Sequence, residues 1–205
     1  MRPTSQAVLV LRALFAIAFS FVLGVLTSIG QQYLPEEVSS LANSAGAWTA
    51  ICFAVLVASK FRGWRAATLG VLVFVALNEG YGFMTRLKGF SYGILFDNFW
   101  TFIALVAGPV VGLAAGWVRH RTGVLAAIGA AVPSVVLIGE GVYGLLYVSG
   151  TTSPVYWTGS VVAGAVFVVA FAIVRLRSWL WGCVSIALTA IGAALFLFLY
   201  SGRLV

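Results

Sequence analysis

The sequence predicts an all-α bundle of about seven transmembrane helices. Hydrophobic residues make up 62% of its 205 positions and charged residues only 8%. The mean hydropathy of +1.08 lies far outside the range of a water-soluble domain. A membrane-spanning helix needs about 20 apolar residues, and runs of that length recur along the chain. We therefore predict one transmembrane helical domain over residues 1–205, with the lipid bilayer as its surroundings.

Seven apolar runs are candidate helices, near residues 9–30, 42–59, 66–85, 98–118, 123–149, 156–174 and 179–200. Basic residues precede the first run, as in a signal peptide, but no A-x-A cleavage pattern follows, so we expect this helix to be retained. The second run is the weakest, because Asn43, Ser44 and Gly46 dilute its start and its remaining core is too short to span. Without it, the bundle has six helices.

The fourth run carries a stripe of small residues. Gly108, Gly112 and Gly116 recur at every fourth position. Small residues at this spacing let two helix backbones approach closely in a membrane. We therefore expect this face of the fourth helix to pack tightly against a neighbouring helix.

The basic residues sort by connection, which predicts an orientation. Nine of the twelve lie at the start of the first run or in every second connection, namely Arg2, Arg12, Lys60, Arg62, Arg65, Arg119, Arg121, Arg175 and Arg177. Only Arg86, Lys88 and Arg203 fall on the other side. By the positive-inside rule, we expect a cytoplasmic N-terminus and an external C-terminus, in a multi-pass protein of a bacterial cytoplasmic membrane. The net charge of +7 follows from this pattern, so we expect no nucleic-acid partner.

The five acidic residues all lie on the predicted outer side. Glu36 and Glu37 are in the first outer connection, and Asp97 opens the fourth run. Glu79 and Glu140 lie deep in the third and fifth runs. A carboxyl group in a bilayer is costly and tends to mark a working site. We therefore expect a pocket in the outer half of the bundle, with Glu140, Asp97 and Glu79 as candidate catalytic residues.

Similar sequences surround the two deep glutamates. Each glutamate is followed directly by glycine and then by a Tyr-Gly pair, at Tyr81 in the third run and Tyr143 in the fifth. If these two helices pack together, the carboxyl groups of Glu79 and Glu140 lie close enough to share a proton. The alternative is a chance echo in a chain rich in glycine and aromatic residues.

Aromatic and amide side chains accompany the acids. Residues three, four or seven positions apart share one face of a helix, and by this spacing four aromatic residues share a face with an acid: Tyr143, Tyr147, Trp100 and Phe83. Together with Tyr81, Asn78 and Phe96 they are the candidate substrate-binding residues. The alternative is an aromatic belt at the membrane interface, which we favour for Tyr156 and Trp157.

No motif of metal or nucleotide chemistry is present in the sequence. Cys52 and Cys183 fall inside predicted spans and His120 lies in a basic connection, so we expect no metal site, no cofactor and no disulfide. A P-loop, a G-x-S-x-G elbow and an H-E-x-x-H motif are also missing. Proton-initiated chemistry remains possible, in which a neutral carboxylic acid protonates an alkene or epoxide and aromatic faces stabilise the resulting cation.

In its length, its multi-helix architecture and its isolated acids at Glu79, Asp97 and Glu140, the chain resembles the small integral-membrane terpene cyclases. This resemblance implies acid-triggered cyclisation of a lipophilic prenylated substrate built on an indole or polyketide scaffold. The stretches 23–32 and 41–46 also look like a family of small bacterial membrane proteins without an assigned function, which implies no mechanism.

Two other functions are compatible with the same sequence. One is a substrate-binding subunit of a transporter, similar to the six-helix substrate-capturing components of vitamin transporters, whose two termini both lie inside. The other is a structural or regulatory membrane subunit in which the acids pair with Arg86 and Lys88. The number of helices distinguishes the transporter subunit from the cyclase, because six helices leave both termini on one side whereas seven place them on opposite sides.

Overall fold

The computed structural model describes residues 6–202, and within them every regular element is helical. The seven α-helices are α1 Gln6–Tyr33, α2 Ala45–Ser59, α3 Gly63–Leu87, α4 Phe99–His120, α5 Gly123–Tyr143, α6 Pro154–Phe171 and α7 Trp179–Tyr200. Short π-helical turns extend two of them, α5 over Gly144–Val148 and α6 over Ala172–Leu176. Two 3-10 segments, Glu36–Asn43 and Leu95–Asp97, precede α2 and α4.

Six of these helices are long and apolar enough to cross a membrane, which fits a multi-pass membrane protein. The exception is α2, whose 15 residues extend only ~23 Å, short of the ~30 Å of a hydrocarbon core. It meets the 3-10 segment Glu36–Asn43 at a bend of 60°, and only together do the two reach membrane length. The predicted helical bundle is therefore confirmed, with six or seven helices that could span a membrane, and the weakest predicted span is a bent pair of shorter helices.

The helices form two groups that α4 connects. In the first group α3 packs along α1 and α4, and in the second α5 packs along α6 and α7. α4 also contacts α5, and the short α2 lies against α5, α4 and α3. The buried core accordingly gathers around α2, α3 and α4, where Cys52, Val73, Leu77 and Ala114 are fully enclosed.

Glycines allow α3 and α4 to come into backbone contact. A Cβ atom at Gly112 would lie 2.1 Å from the Ala66 carbonyl oxygen, and one at Gly108 would lie 2.6 Å from the Val71 Cα. At Gly116 the nearest such contact is 3.4 Å away, so the helices have begun to separate there. The predicted packing face on the fourth helix is confirmed, and its partner is α3.

The bundle has a basic end and an acidic end. Helix alternation gathers eight described basic residues at one end, namely Arg12, Lys60, Arg62, Arg65, Arg119, Arg121, Arg175 and Arg177. There the His120 Nε2 lies 3.2 Å from the Lys60 carbonyl oxygen and the Arg175 guanidinium donates to the Arg121 carbonyl at 3.5 Å. The acidic end holds all five acids together with Arg86 and Lys88. Arg2 and Arg203 lie outside the described residues.

Candidate functional site

Glu140 holds the first turn of α2 from its position on α5. Its side chain is buried, and its Oε1 and Oε2 atoms accept hydrogen bonds from the backbone N–H groups of Ala45, at 2.8 Å, and Gly46, at 2.6 Å. A Cβ at Gly46 would lie 2.9 Å from Oε2, so a larger residue would press on the carboxylate. The first N–H groups of a helix have no partner within it and attract an anion. Glu140 therefore caps α2 across the bundle.

Ser44 completes this cap. Its Oγ accepts from the Ala47 N–H at 3.0 Å, and its carbonyl accepts the first intrahelical bond, from the Trp48 N–H at 3.1 Å. The Tyr156 hydroxyl on α6 forms a hydrogen bond with the same Oγ. The first four N–H groups of α2 thus all have partners, as a helix that starts inside the protein requires.

A cavity of about 480 Å³ borders this cap at the acidic end. Its polar lining consists of hydroxyl and amide side chains: Gln31, Ser39, Ser40, Asn43, Thr151 and Thr152. Its aromatic lining consists of Tyr143, Trp157 and Tyr200, and Glu140 is the one charged side chain in the described lining. A volume of this size falls within the roughly 300–1,000 Å³ that is usual for small-molecule sites.

The aromatic side of the cavity is held in place by its own contacts. The Tyr143 ring lies 4.8 Å from the Tyr200 ring, nearly at right angles to it. The Trp157 indole N–H donates to the Thr152 hydroxyl at 2.8 Å. A Cβ at Gly144 would lie only 2.1 Å from the Trp157 ring, so this indole packs directly on the backbone of α5. The rings therefore have fixed orientations before any ligand arrives.

Of the three candidate acids, the structure brings only Glu140 to this cavity. Glu79 accepts from the Leu95 N–H at 2.9 Å and lies 4.0 Å from the Arg86 guanidinium. Asp97 is exposed in the 3-10 segment before α4. Because α3 packs along α1 and α4 while Glu140 faces α2, the two glutamates have different partners. α3 does not pack along α5, so the condition under which the two carboxyl groups would share a proton is not met.

The other candidate residues do not form one pocket either. Only Tyr143 reaches the cavity beside Glu140. Asn78 and Trp100 line a second, much smaller cavity of about 50 Å³ between α2, α3 and α4. Tyr81 is buried between the rings of Trp48 and Tyr92, at 5.2 and 5.3 Å. The remaining three are exposed, namely Tyr147, Phe83 and Phe96.

Sequence reasoning missed several residues of the site. Tyr156 and Trp157 were expected in an interfacial belt, but both are buried. Tyr156 contacts the α2 cap and Trp157 packs on α5. Tyr200 and the hydroxyl residues of the connections were not predicted at all. One signal was available: Ser44 stands before a run too short to span, which is typical of a helix that begins inside the protein and needs a cap.

Asn78 anchors the connection between α3 and α4. Its Nδ2 donates to the Thr101 hydroxyl at 3.3 Å, and its Oδ1 accepts from the Tyr92 hydroxyl at 2.8 Å. Burial raises the pKa of the Tyr92 phenol above its ordinary value of 10.0. This network ties the connection to the buried face of α3.

The raised pKa of Tyr92 predicts a pH dependence of stability. Because the folded-state pKa exceeds that of the unfolded chain, this contribution is complete below pH 10.0 and is lost as the pH rises through the folded-state pKa. We expect Tyr92→Phe to lower the free energy of unfolding by about 1 kcal/mol at neutral pH and to reduce the alkaline decline. Thermal unfolding in detergent from neutral to strongly alkaline pH measures both, and an unchanged alkaline decline would contradict the assignment.

A model of one protein family, described as a family of unknown function (DUF6518), matches residues 3–204 of the chain. The chain belongs to this family. No curated protein and no solved structure matches it. The family description states no activity, so the function of this DUF6518 protein has to be argued from the site itself.

The chemical capacity of the site follows from its lining. Among the described residues, its lining contains no histidine, cysteine or lysine, and residues 6–202 include no group of three or more His, Cys, Asp or Glu side chains placed to hold a metal ion. Each carboxylate oxygen of Glu140 can accept a second hydrogen bond in addition to the one from α2. The arrangement can thus accept hydrogen bonds from a ligand and stack rings against it.

Proposed function

We propose that this DUF6518 protein is an integral membrane protein that binds a small organic cation at its acidic end, as a binding subunit of the transport type. The observation that carries the proposal is the cavity of about 480 Å³ in which Glu140 is the one charged side chain of the described lining. The polar groups around it are neutral hydroxyls and amides. A cationic ligand would supply the opposite charge that the described lining lacks.

The aromatic residues of the cavity support the same ligand class. A cation over the face of a tyrosine or tryptophan ring is attracted by the negative charge on that face, by ~0.5–2 kcal/mol depending on exposure. Three such rings, Tyr143, Trp157 and Tyr200, border the cavity that Glu140 also borders. Their fixed orientations reduce the entropy lost on binding, because few side chains have to be ordered.

The orientation in the membrane is part of the proposal. With the basic end in the cytoplasm, as the positive-inside rule favours, the cavity faces the outside of a bacterial cytoplasmic membrane. α1 begins at the basic end and α7 ends at Tyr200, beside the cavity. The described ends of the chain thus lie at opposite ends of the bundle, unlike those of the vitamin-transporter components. The proposal consequently rests on the cavity and not on that resemblance.

A matched pair of probes tests the ligand class. Choline and its neutral isostere 3,3-dimethyl-1-butanol have nearly the same shape and differ in charge. We expect choline to raise the thermal unfolding temperature of the purified protein in nanodiscs and to bind measurably by calorimetry, with the isostere at least roughly tenfold weaker. Equal binding of the two probes, or binding of neither, would overturn the proposal.

A matched pair of variants tests the location. Tyr143→Leu removes a ring from the cavity, whereas Tyr147→Leu removes an exposed ring one helical turn further on. We expect Tyr143→Leu to weaken choline binding by roughly tenfold and Tyr147→Leu to leave it unchanged. Equal effects of the two substitutions would place the binding site elsewhere.

A terpene cyclase is the second candidate, because a carboxyl group and three aromatic rings border one cavity. Acid-triggered cyclisation of a prenylated substrate needs a group that gives up a proton to the alkene or epoxide. Membranes that contain the protein would then convert linear prenylated indoles, or their epoxides, into isomers of unchanged mass. Such isomers, detected by mass spectrometry and lost in a Tyr143→Leu variant, would favour the cyclase over the binding subunit.

A further inference from the structure

A long apolar groove runs between α1 and α2 and ends at the basic end of the bundle. It encloses about 800 Å³. Leu11, Phe15 and Phe19 of α1 form one wall, and Ala54 and Ala58 of α2 form an open floor. Leu11 and Phe15 are 68% and 69% exposed, so no other part of the described chain covers them.

The groove has a charged group at one end only. Arg12 of α1 and Lys60 at the end of α2 both line it, and both are exposed. All five acids of the chain lie at the opposite end of the bundle. No acidic side chain of the described residues 6–202 lies near these two cations, so an anion from outside the chain can pair with them.

The length of the groove matches one leaflet of a bilayer. On α1 its lining runs from Leu11 to Leu23, which is ~18 Å at the rise of an α-helix. On α2 it runs from Ile51 to Lys60, or ~14 Å. Half of a ~30 Å hydrocarbon core is about 15 Å. The apolar part thus extends as far as a lipid tail, and the cations lie at the level of its headgroup.

We propose that this groove is a binding site for an anionic phospholipid, with an acyl chain between α1 and α2 and the phosphate group on Arg12 and Lys60. A zwitterionic lipid offers the same chain but a headgroup without net charge, so the two cations select against it. The small side chains of Ala54 and Ala58 provide the room that the chain occupies. This site is separate from the cavity at Glu140, and its proposal does not depend on the function of that cavity.

Lipid binding to purified protein tests the proposal. After delipidation, the protein in mild detergent is titrated with dioleoyl phosphatidylglycerol or dioleoyl phosphatidylcholine, and native mass spectrometry measures the bound lipid. We expect phosphatidylglycerol to bind roughly tenfold more tightly than phosphatidylcholine. The double variant Arg12→Gln and Lys60→Gln should lose this preference.

A second double variant, Arg119→Gln and Arg177→Gln, is the matched control. It removes the same charge from the same end of the bundle, outside the groove. Arg177 and Lys60 also share a left-handed backbone conformation, with φ of 51° and 65°, so the two substitutions impose similar backbone demands. The control should keep the full lipid preference. Loss of the preference in both double variants would show that only the general charge of this end matters, which would overturn the proposed site.

A substitution that fills the groove distinguishes a bound lipid from a second copy of the chain. Ala58→Phe adds bulk to the floor without changing charge, so it should reduce binding of both lipids. All variants should retain wild-type helical content by circular dichroism. A wild-type protein without a preference for phosphatidylglycerol, or a dimer in native mass spectra that Ala58→Phe dissociates, would overturn the proposal, the latter by showing that a second copy fills the groove.

Discussion

Replacing Glu140 by alanine is expected to destabilise the fold by about 2–4 kcal/mol, because it leaves one buried and one partly buried N–H group without partners, at about 1–3 kcal/mol for the buried one and less for the other. These groups, at Ala45 and Gly46, open α2 where it bends away from the preceding 3-10 segment. Glu140→Gln should be intermediate, because an amide keeps one acceptor oxygen but turns its NH₂ group toward the other N–H. Thermal and denaturant unfolding in detergent measure these losses.

Hydrogen exchange locates the effect. In the wild-type protein the amides of Ala45 and Gly46 should exchange slowly, and in Glu140→Ala they should exchange faster than amides in the middle of α5. The control is Glu79→Gln, since Glu79 is only partly buried and pairs with Arg86 at 4.0 Å. Its loss should cost less than about 1 kcal/mol. Equal stability of Glu140→Ala and the wild type would contradict the role of this carboxylate as a cap.

The capping role of Glu140 affects how a loss of activity in its variants is interpreted. A buried acid in a membrane helix usually indicates a working site, because its burial costs free energy that function has to justify. At Glu140 the same cost is offset by two backbone hydrogen bonds and the positive end of α2. Loss of function in a Glu140 variant would therefore not identify a proton donor. Substitutions of Tyr143 and Tyr200 are better tests of the cavity, because these residues do not hold α2.

The positions of the helices could be predicted because they follow from local properties. Apolar length alone indicated the last helix at residues 179–200, where the structure has α7 Trp179–Tyr200. Most of the other boundaries differ by a few residues, and α1 Gln6–Tyr33 and α3 Gly63–Leu87 extend beyond their apolar runs at both ends. The second run was predicted to be too short to span, and α2 indeed does not reach membrane length without its 3-10 segment.

The candidate site could be predicted only in part, because it depends on which helices are neighbours. Apolar helix faces in a membrane do not specify which helices become neighbours. The similar sequences around Glu79 and Glu140 therefore did not indicate that Glu140 would bind the start of α2 while Glu79 binds the segment before α4. The outer-half pocket was expected from the position of the acids. The structure has a cavity at the acidic end of the bundle, but it joins Glu140 to Tyr200 and to connections remote in sequence. Pairings of that kind are set by packing and not by any local pattern.

Because α3 and α4 are in backbone contact, we expect the same glycine-to-alanine substitution to change the stability of the protein in opposite directions at two positions. At an open helical position, glycine to alanine stabilises by up to ~1 kcal/mol, since alanine is the better helix former. Gly159 on α6 is such a position, because an added methyl carbon would meet no atom within 4 Å beyond its own stretch of helix. At Gly112 the same methyl group would lie 2.1 Å from the Ala66 carbonyl oxygen. Because the obstacle is backbone, no side chain can move aside.

We therefore expect Gly112→Ala to destabilise the protein by about 1–3 kcal/mol, the usual cost of forcing backbones apart in a packed interface, while Gly159→Ala is neutral or stabilising. Thermal unfolding of the two variants in the same detergent measures the difference. Separation of α3 and α4 would also stretch the bond between Asn78 and Thr101, which joins these two helices. The connection that Tyr92 anchors should consequently become more accessible to protease in Gly112→Ala alone. If both alanines stabilised the protein equally, α3 and α4 could not be in backbone contact.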